Sequence, residues 1–183
     1  MGSSRGSAAR LVGFLNAVQT NGAAEALRAL DLGDLAGRPI EEVFAGLADY
    51  ICPEGGSIDE GIARDAFIET VADLADAGIQ DLDALNADQM QTMFEIYATH
   101  TIEARICNDV GTRLITLPAD VRAAERVRDQ LHDFIQRGVS DALAAATTTV
   151  GALTLDRVTD FVSSIYQSAF EMLEILGEAE AAR

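Results

Sequence analysis

The sequence predicts an all-α fold, a single-domain helical bundle of about seven helices. Three observations point there. The chain has 183 residues, enough for one domain with a single core. Apolar residues recur three and four apart along most of its length, and no convincing stretch alternates with the two-residue period of a strand. Hydrophobic residues make up 49% of it, more than an acidic disordered chain carries.

The bundle is expected over residues 8–177, behind a Gly- and Ser-rich flexible leader at 1–7 and ahead of a frayed Glu/Ala/Arg tail at 178–183. Leu11, Phe14 with Leu15, and Val18 share one face of a first helix that Asn21-Gly22 ends. A short second helix runs from Ala23 to Leu30 and closes near Gly33. Pro39 suits a first helical position, and Glu41 and Glu42 suit the positive end of the helix dipole. Ile40, Val43, Phe44, Leu47 and Ile51 give that third helix its buried side, and Cys52-Pro53 stops it, because the residue before proline is pushed out of helical geometry.

After the Glu54-Gly55-Gly56 turn, Ser57 and Glu60 form a capping box, each satisfying a backbone N–H that the helix leaves unpaired. The helix it opens carries Ile58, Ile62, Ala66, Phe67, Val71, Leu74 and Ala75 to a stop near Gly78. Residues 81–85 read as a linker with at most one turn. Asn86 and Gln89 form a second cap, opening a helix through Met90, Met93, Phe94, Tyr97, Ile102 and Ile106 to Asn108 and Gly111. Arg113–Leu117 favours β structure but is too isolated to make a sheet. Pro118 starts a long helix on Val121, Ala124, Val127, Leu131, Phe134 or Ile135, and Val139, which Thr147–Gly151 breaks. Thr154 caps the last, whose Leu155, Val158, Val162, Ile165, Ala169, Met172 and Leu176 form a seam closed by Gly177.

The formal net charge is −17, and all 13 basic residues are arginine. This balance argues against a direct grip on nucleic acid or an anionic membrane, since both need clustered positive charge. Residues 25–109 hold 19 acids against Arg28, Arg38, Arg64 and Arg105, a net of −15. The helix after Pro118 alone is arginine-dense and charge-neutral. An acidic face either keeps a bundle soluble or docks a basic partner. No apolar run spans a bilayer, the segment after Arg10 is interrupted by Asn16 and Gln19, and Gly6 breaks a myristoylation pattern. Two separated cysteines, Cys52 and Cys107, fit reduced thiols, so a cytoplasmic location is expected.

No pattern of residues spells a reaction. A di-metal bundle needs two Glu-x-x-His motifs, and the nearest approach here is Asp129-x-x-His132, while His100 precedes Glu103 in reverse order. No metal and no cofactor are therefore expected, and His132 reads as a boundary histidine. Cys52, at a helix C-terminus, has its thiol disfavoured as an anion, and Cys107 lies beside Asp109 without a cation nearby in sequence. Acids flank the turn before Ser57, which opposes anion binding there. The protein is not expected to be an enzyme.

Three stretches carry a resemblance: Gly33-Asp34-Leu35-Ala36-Gly37-Arg38-Pro39; Cys52 through Glu60 continuing into Ile62–Ala66; and Ile102-Glu103-Ala104-Arg105 running to Asn108-Asp109-Val110-Gly111-Thr112. From about Arg5 to Gly177 the chain resembles the C-terminal helical domain of QatB-like components of Qat anti-phage systems. The resemblance implies a non-catalytic interaction or scaffold subunit. Its companions would be a QueC-like enzyme foremost, a P-loop ATPase and a TatD-like nuclease, and it would serve as their partner or substrate. It also implies a longer protein with a Gly/Pro-rich N-terminal region, so this chain is expected to be a truncated form, with Gly2 no substitute for that region's acceptor. Partner-binding residues are expected among Glu103, Arg105, Asn108, Asp109, Asp59 and Arg64. The competing role for Arg64 and Arg105 is bridging acids between helices, and for Asn108 it is capping. Two other functions fit the composition: an acidic nucleic-acid mimic that occupies a basic nuclease, and a cryptic metal- or small-ligand-binding bundle.

Overall fold

Two helices run through the middle of the protein and the others pack around them. The structure, a computed structural model, describes residues 2–53, 57–76, 78–112, 121–145 and 155–181. Among these are α1 (Gly2–Asn21), α2 (Ala23–Arg28), α3 (Ile40–Ile51), α4 (Ile58–Asp76), α5 (Ala87–Thr112), α6 (Val121–Ala145) and α7 (Leu155–Ala181), with a 3-10 turn at Gly33–Leu35. The described residues are all-α, as expected. Helix α5 packs on α1, α4, α6 and α7, while α1 also meets α2, α3 and α7. The expected turn at residues 54–56, the Arg113–Leu117 stretch, the Pro118 start, the Thr147–Gly151 break and the Thr154 cap lie outside the described residues. So do the side chains of Ala75, Val121, Leu155 and Leu176.

The two capping signals within the described residues form as read. Glu60 N donates to Ser57 Oγ (3.3 Å) and Ser57 N to Glu60 Oε2 (2.9 Å). Asn86 and Gln89 make the same reciprocal pair at 2.9 and 3.1 Å. Gly22 joins α1 to α2 at φ 86°, where a side chain would be strained. Pro39 sits one residue before α3, in extended geometry, rather than in its first turn. The second helix closes on Asp31, at φ 60°, not on Gly33: Leu32 N reaches back to Leu27 O at 2.9 Å, and Asp tolerates this left-handed geometry better than most residues.

Helix extends further at both ends than the chain's punctuation suggested. Helix α1 begins at Gly2, within the segment expected as a leader, and Ser7 and Ala8 are buried. Arg10 Nε donates to Ile51 O (2.9 Å), tying α1 to the end of α3. Helix α7 continues past Gly177.

One core runs through all seven helices. Phe44 and Phe67 stack at 5.5 Å, and Tyr97 meets Phe67 edge-on at 5.8 Å. Two expected core positions move. Ile58 is 71% exposed, because the buried side of α4 is set by Ala63, Ala66, Phe67, Thr70 and Leu74. At about 100° per residue, Ile58 falls on the opposite side from Ala63. In α7, Leu173 is buried in place of Met172, since the seam takes a four-residue step after Ala169. In α6 the alternative resolves to Ile135, with Phe134 half-buried.

Candidate interaction site

Where α4, α5 and α6 lie side by side, polar stripes on the three helices face one another across a cleft of about 760 Å³. Residues on α5 at 100, 103, 104 and 107 keep helical spacing, as do 69, 72 and 73 on α4 and 125, 128, 129 and 132 on α6. Both histidines of the chain line the cleft. His100 Nε2 lies 2.7 Å from Asp73 Oδ2, and its Nδ1 lies 3.4 Å from Glu69 Oε2. His132 Nδ1 lies 2.8 Å from Glu103 Oε2, and Arg128 Nε donates to Glu103 Oε1 at 3.3 Å. Glu103 is only 8% exposed, so these partners supply what water cannot. That bond and the Glu103 charge hold the Arg128 guanidinium pKa above its ordinary value.

The remaining expected residues gather elsewhere. Arg105 bridges Asp59 of α4 and Asp109 of its own helix, the latter at 3.1 Å, and the Tyr166 hydroxyl of α7 donates to the same Asp109 carboxylate. Asn108 Nδ2 approaches Asp109 Oδ1 at 3.4 Å. Burial pushes the Asp109 carboxyl up, but the Tyr166 hydroxyl and Arg105 outweigh it and hold it below the usual range. Burial likewise opposes the Arg105 charge, and Asp59 and Asp109 more than restore it. Arg64 reaches Asp49 Oδ1 (2.7 Å) and Cys52 O (3.3 Å), closing the end of α3. Thus Asp59, Arg105, Asn108 and Asp109 come together with Tyr166, Glu103 belongs to the cleft, and Arg64 stands apart. All six engage partners within the chain, the bridging role weighed for the arginines.

Sequence reasoning missed the cleft's other members, His100, Glu69, Asp73, Glu125, Arg128 and Asp129. The available signal was a polar stripe at helical spacing on three successive helices. Neither cysteine is in a disulfide. Burial raises the Cys52 thiol pKa, and its Sγ donates to Ala63 O at 3.3 Å. Burial, then the Glu103 charge, raise that of Cys107. Both shifts favour the unreactive thiol. Among the described residues, no group of three or more His, Cys, Asp or Glu is arranged to hold a metal ion, and no helix is long and apolar enough to cross a membrane.

Fold and site together define a helical bundle whose buried charges are held in inter-helix ion pairs beside an acidic cleft. The family model described as Qat anti-phage system associated protein QatB matches residues 1–173, and the chain belongs to that family. Its membership gives it a role in the Qat anti-phage system. No curated protein and no solved structure matches the chain.

Proposed function

We propose that the protein is a non-catalytic, cytoplasmic interaction subunit of a Qat defence complex, working without cofactor. Its companions are the QueC-like enzyme foremost, the ATPase and the TatD-like nuclease. The observation that carries this reading is the match to the QatB family over residues 1–173. The state of the ionisable groups supports it: the thiols are held protonated, and Glu103 and Asp109 neutralise neighbouring cations. In this reading Asp59, Arg64, Glu103, Arg105, Asn108 and Asp109 lock helices in place, and the cleft beside Glu103 faces the partner.

Co-expression of the tagged chain with each companion tests the proposal. The expected result is stoichiometric capture of at least one companion, with loss of phage protection when the chain is omitted. Capture of none, or turnover of a substrate by the purified chain alone, overturns it.

A further inference from the structure

On the other side of α4 from the acidic cleft lies an apolar groove of about 290 Å³ between α3 and α4. Phe44 and Phe67, stacked on each other, form its floor, and Ala45, Ala48, Ile68 and Val71 form its walls. Ile68, 57% exposed, carries the groove's apolar lining out to the surface, and contiguous apolar patches rimmed by polar residues mark interaction surfaces. Ala72 lines both the groove and the cleft, so the two form one continuous surface across the outward face of α4. Alanines at 45, 48 and 72 let a partner backbone approach closely.

The occupant follows from charge. Glu41 stands at the groove, and Glu69, Asp73, Glu125 and Asp129 line the cleft. Among the described residues, Glu41, Glu125 and Asp129 have no ion-pair partner. A second copy of this chain would bring its own −17 and be repelled, as would a nucleic acid. Resting on the interaction-subunit reading, we propose that the outward face of α4 docks a basic amphipathic helix of a companion protein. The apolar stripe of that helix enters the Phe44–Phe67 groove, and arginines or lysines on its flank reach the cleft carboxylates. An α-helix is about 10–12 Å across with its side chains, so one laid along α4 can turn its apolar stripe to the groove and its flank to the cleft.

The test uses a fluorescein-labelled helical 18-mer with leucines at i, i+4 and i+7 and arginines on the adjoining flank. A charge-matched control has the leucines replaced by glutamine. Fluorescence anisotropy with the full chain is expected to show the leucine peptide binding at least tenfold tighter than the control. Ala72→Arg is expected to weaken it at least tenfold, whereas Asp160→Asn on α7, with the same change in charge, moves it less than twofold. Ala45→Arg serves as an independent second variant, and circular dichroism confirms that each variant is folded. Equal binding of both peptides, or equal weakening by Ala72→Arg and Asp160→Asn, overturns the proposal. With co-expressed companions, capture by the wild-type and Ala72→Arg chains alike overturns this docking surface and leaves the interaction role standing. Failure of the wild-type chain to capture any companion overturns both.

Discussion

Replacing Arg105 with glutamine removes a cation that Asp59 and Asp109 share and keeps much of the side chain's volume. The size of the effect follows from burial. The Arg105, Asp59 and Asp109 side chains are 21%, 18% and 7% exposed. A solvent-exposed pair contributes about 0–1 kcal/mol, and breaking a fully buried one costs about 3–5 kcal/mol. Arg105 is one-fifth exposed and binds two carboxylates on different helices. Its loss takes a neutralising charge from Asp109, which keeps the Tyr166 hydroxyl and Asn108. The expected cost is about 2–3 kcal/mol, within the range for hydrogen bonds to charged groups.

For a chain of this length each kcal/mol moves Tm by about 2–4 °C, so Arg105→Gln is expected to melt roughly 5–10 °C below wild type. Circular dichroism at 222 nm measures this, and urea titration with an unchanged m-value confirms that the folded state has lost stability. A double-mutant cycle with Asp59→Asn is expected to give a coupling of about 1 kcal/mol or more. Arg28→Gln is the control: its pair with Glu25 is 67% and 57% exposed, and the expected loss is only a few tenths, about 0.3 kcal/mol. If Arg105→Gln melts within about 1 °C of wild type, the ion pair is not holding α4 to α5. If it melts normally yet loses its companions, Arg105 is an interface residue.

Other outcomes follow from the same contacts. Phe67→Ala removes both the Phe44 stack and the Tyr97 edge contact and is expected to cost about 3–5 kcal/mol, read as a fall in urea midpoint. The Asp109 carboxyl titrates below its unfolded value of about 3.9, so its contribution is complete above that pH and is lost as pH falls through the lower folded value. Asp109→Asn is therefore expected to flatten the stability–pH curve in that acid window alone. Ser57→Ala removes the cap of α4 and is expected to cost about 1 kcal/mol, with amide exchange accelerating first in that helix's opening turns. With a thiol reagent at pH 7.5, Cys107 is expected to react more slowly than free cysteine, and Cys52 only upon unfolding.

The fold was legible wherever a local signal specifies a local outcome. Two reciprocal caps, Ser57 with Glu60 and Asn86 with Gln89, needed nothing beyond four adjacent residues, and both formed. The apolar face of α5 was read correctly from Met90 to Ile106, since a helix packed by four neighbours leaves its stripe little freedom. Ile58 was misread because hydrophobicity alone does not fix an angle on the helix, and one apolar residue at a terminus can lie on either side of the true stripe. Met172 was misread because a seam that alternates three and four can take two fours in succession. The cleft was less legible still. Its stripes on α4, α5 and α6 are each visible in the sequence, but which of them face one another depends on how the helices pack.

That dependence also explains why composition alone could not assign the acids a role. From sequence, the 19 acids of residues 25–109 look equivalent. Folding sorts them by burial. Glu103 and Asp109, 8% and 5% exposed, are bound to arginines and join helices together, so reversing their charge reports on folding as much as on binding. Glu41 stands exposed beside an apolar groove, and reversing it leaves the core untouched. An interface search that starts from the most distinctive charged motif, residues 102–109, therefore meets the scaffold first. The surface left for a partner is the plainer outward face of α4, where Ile68 and Ala72 separate a greasy groove from an acidic one.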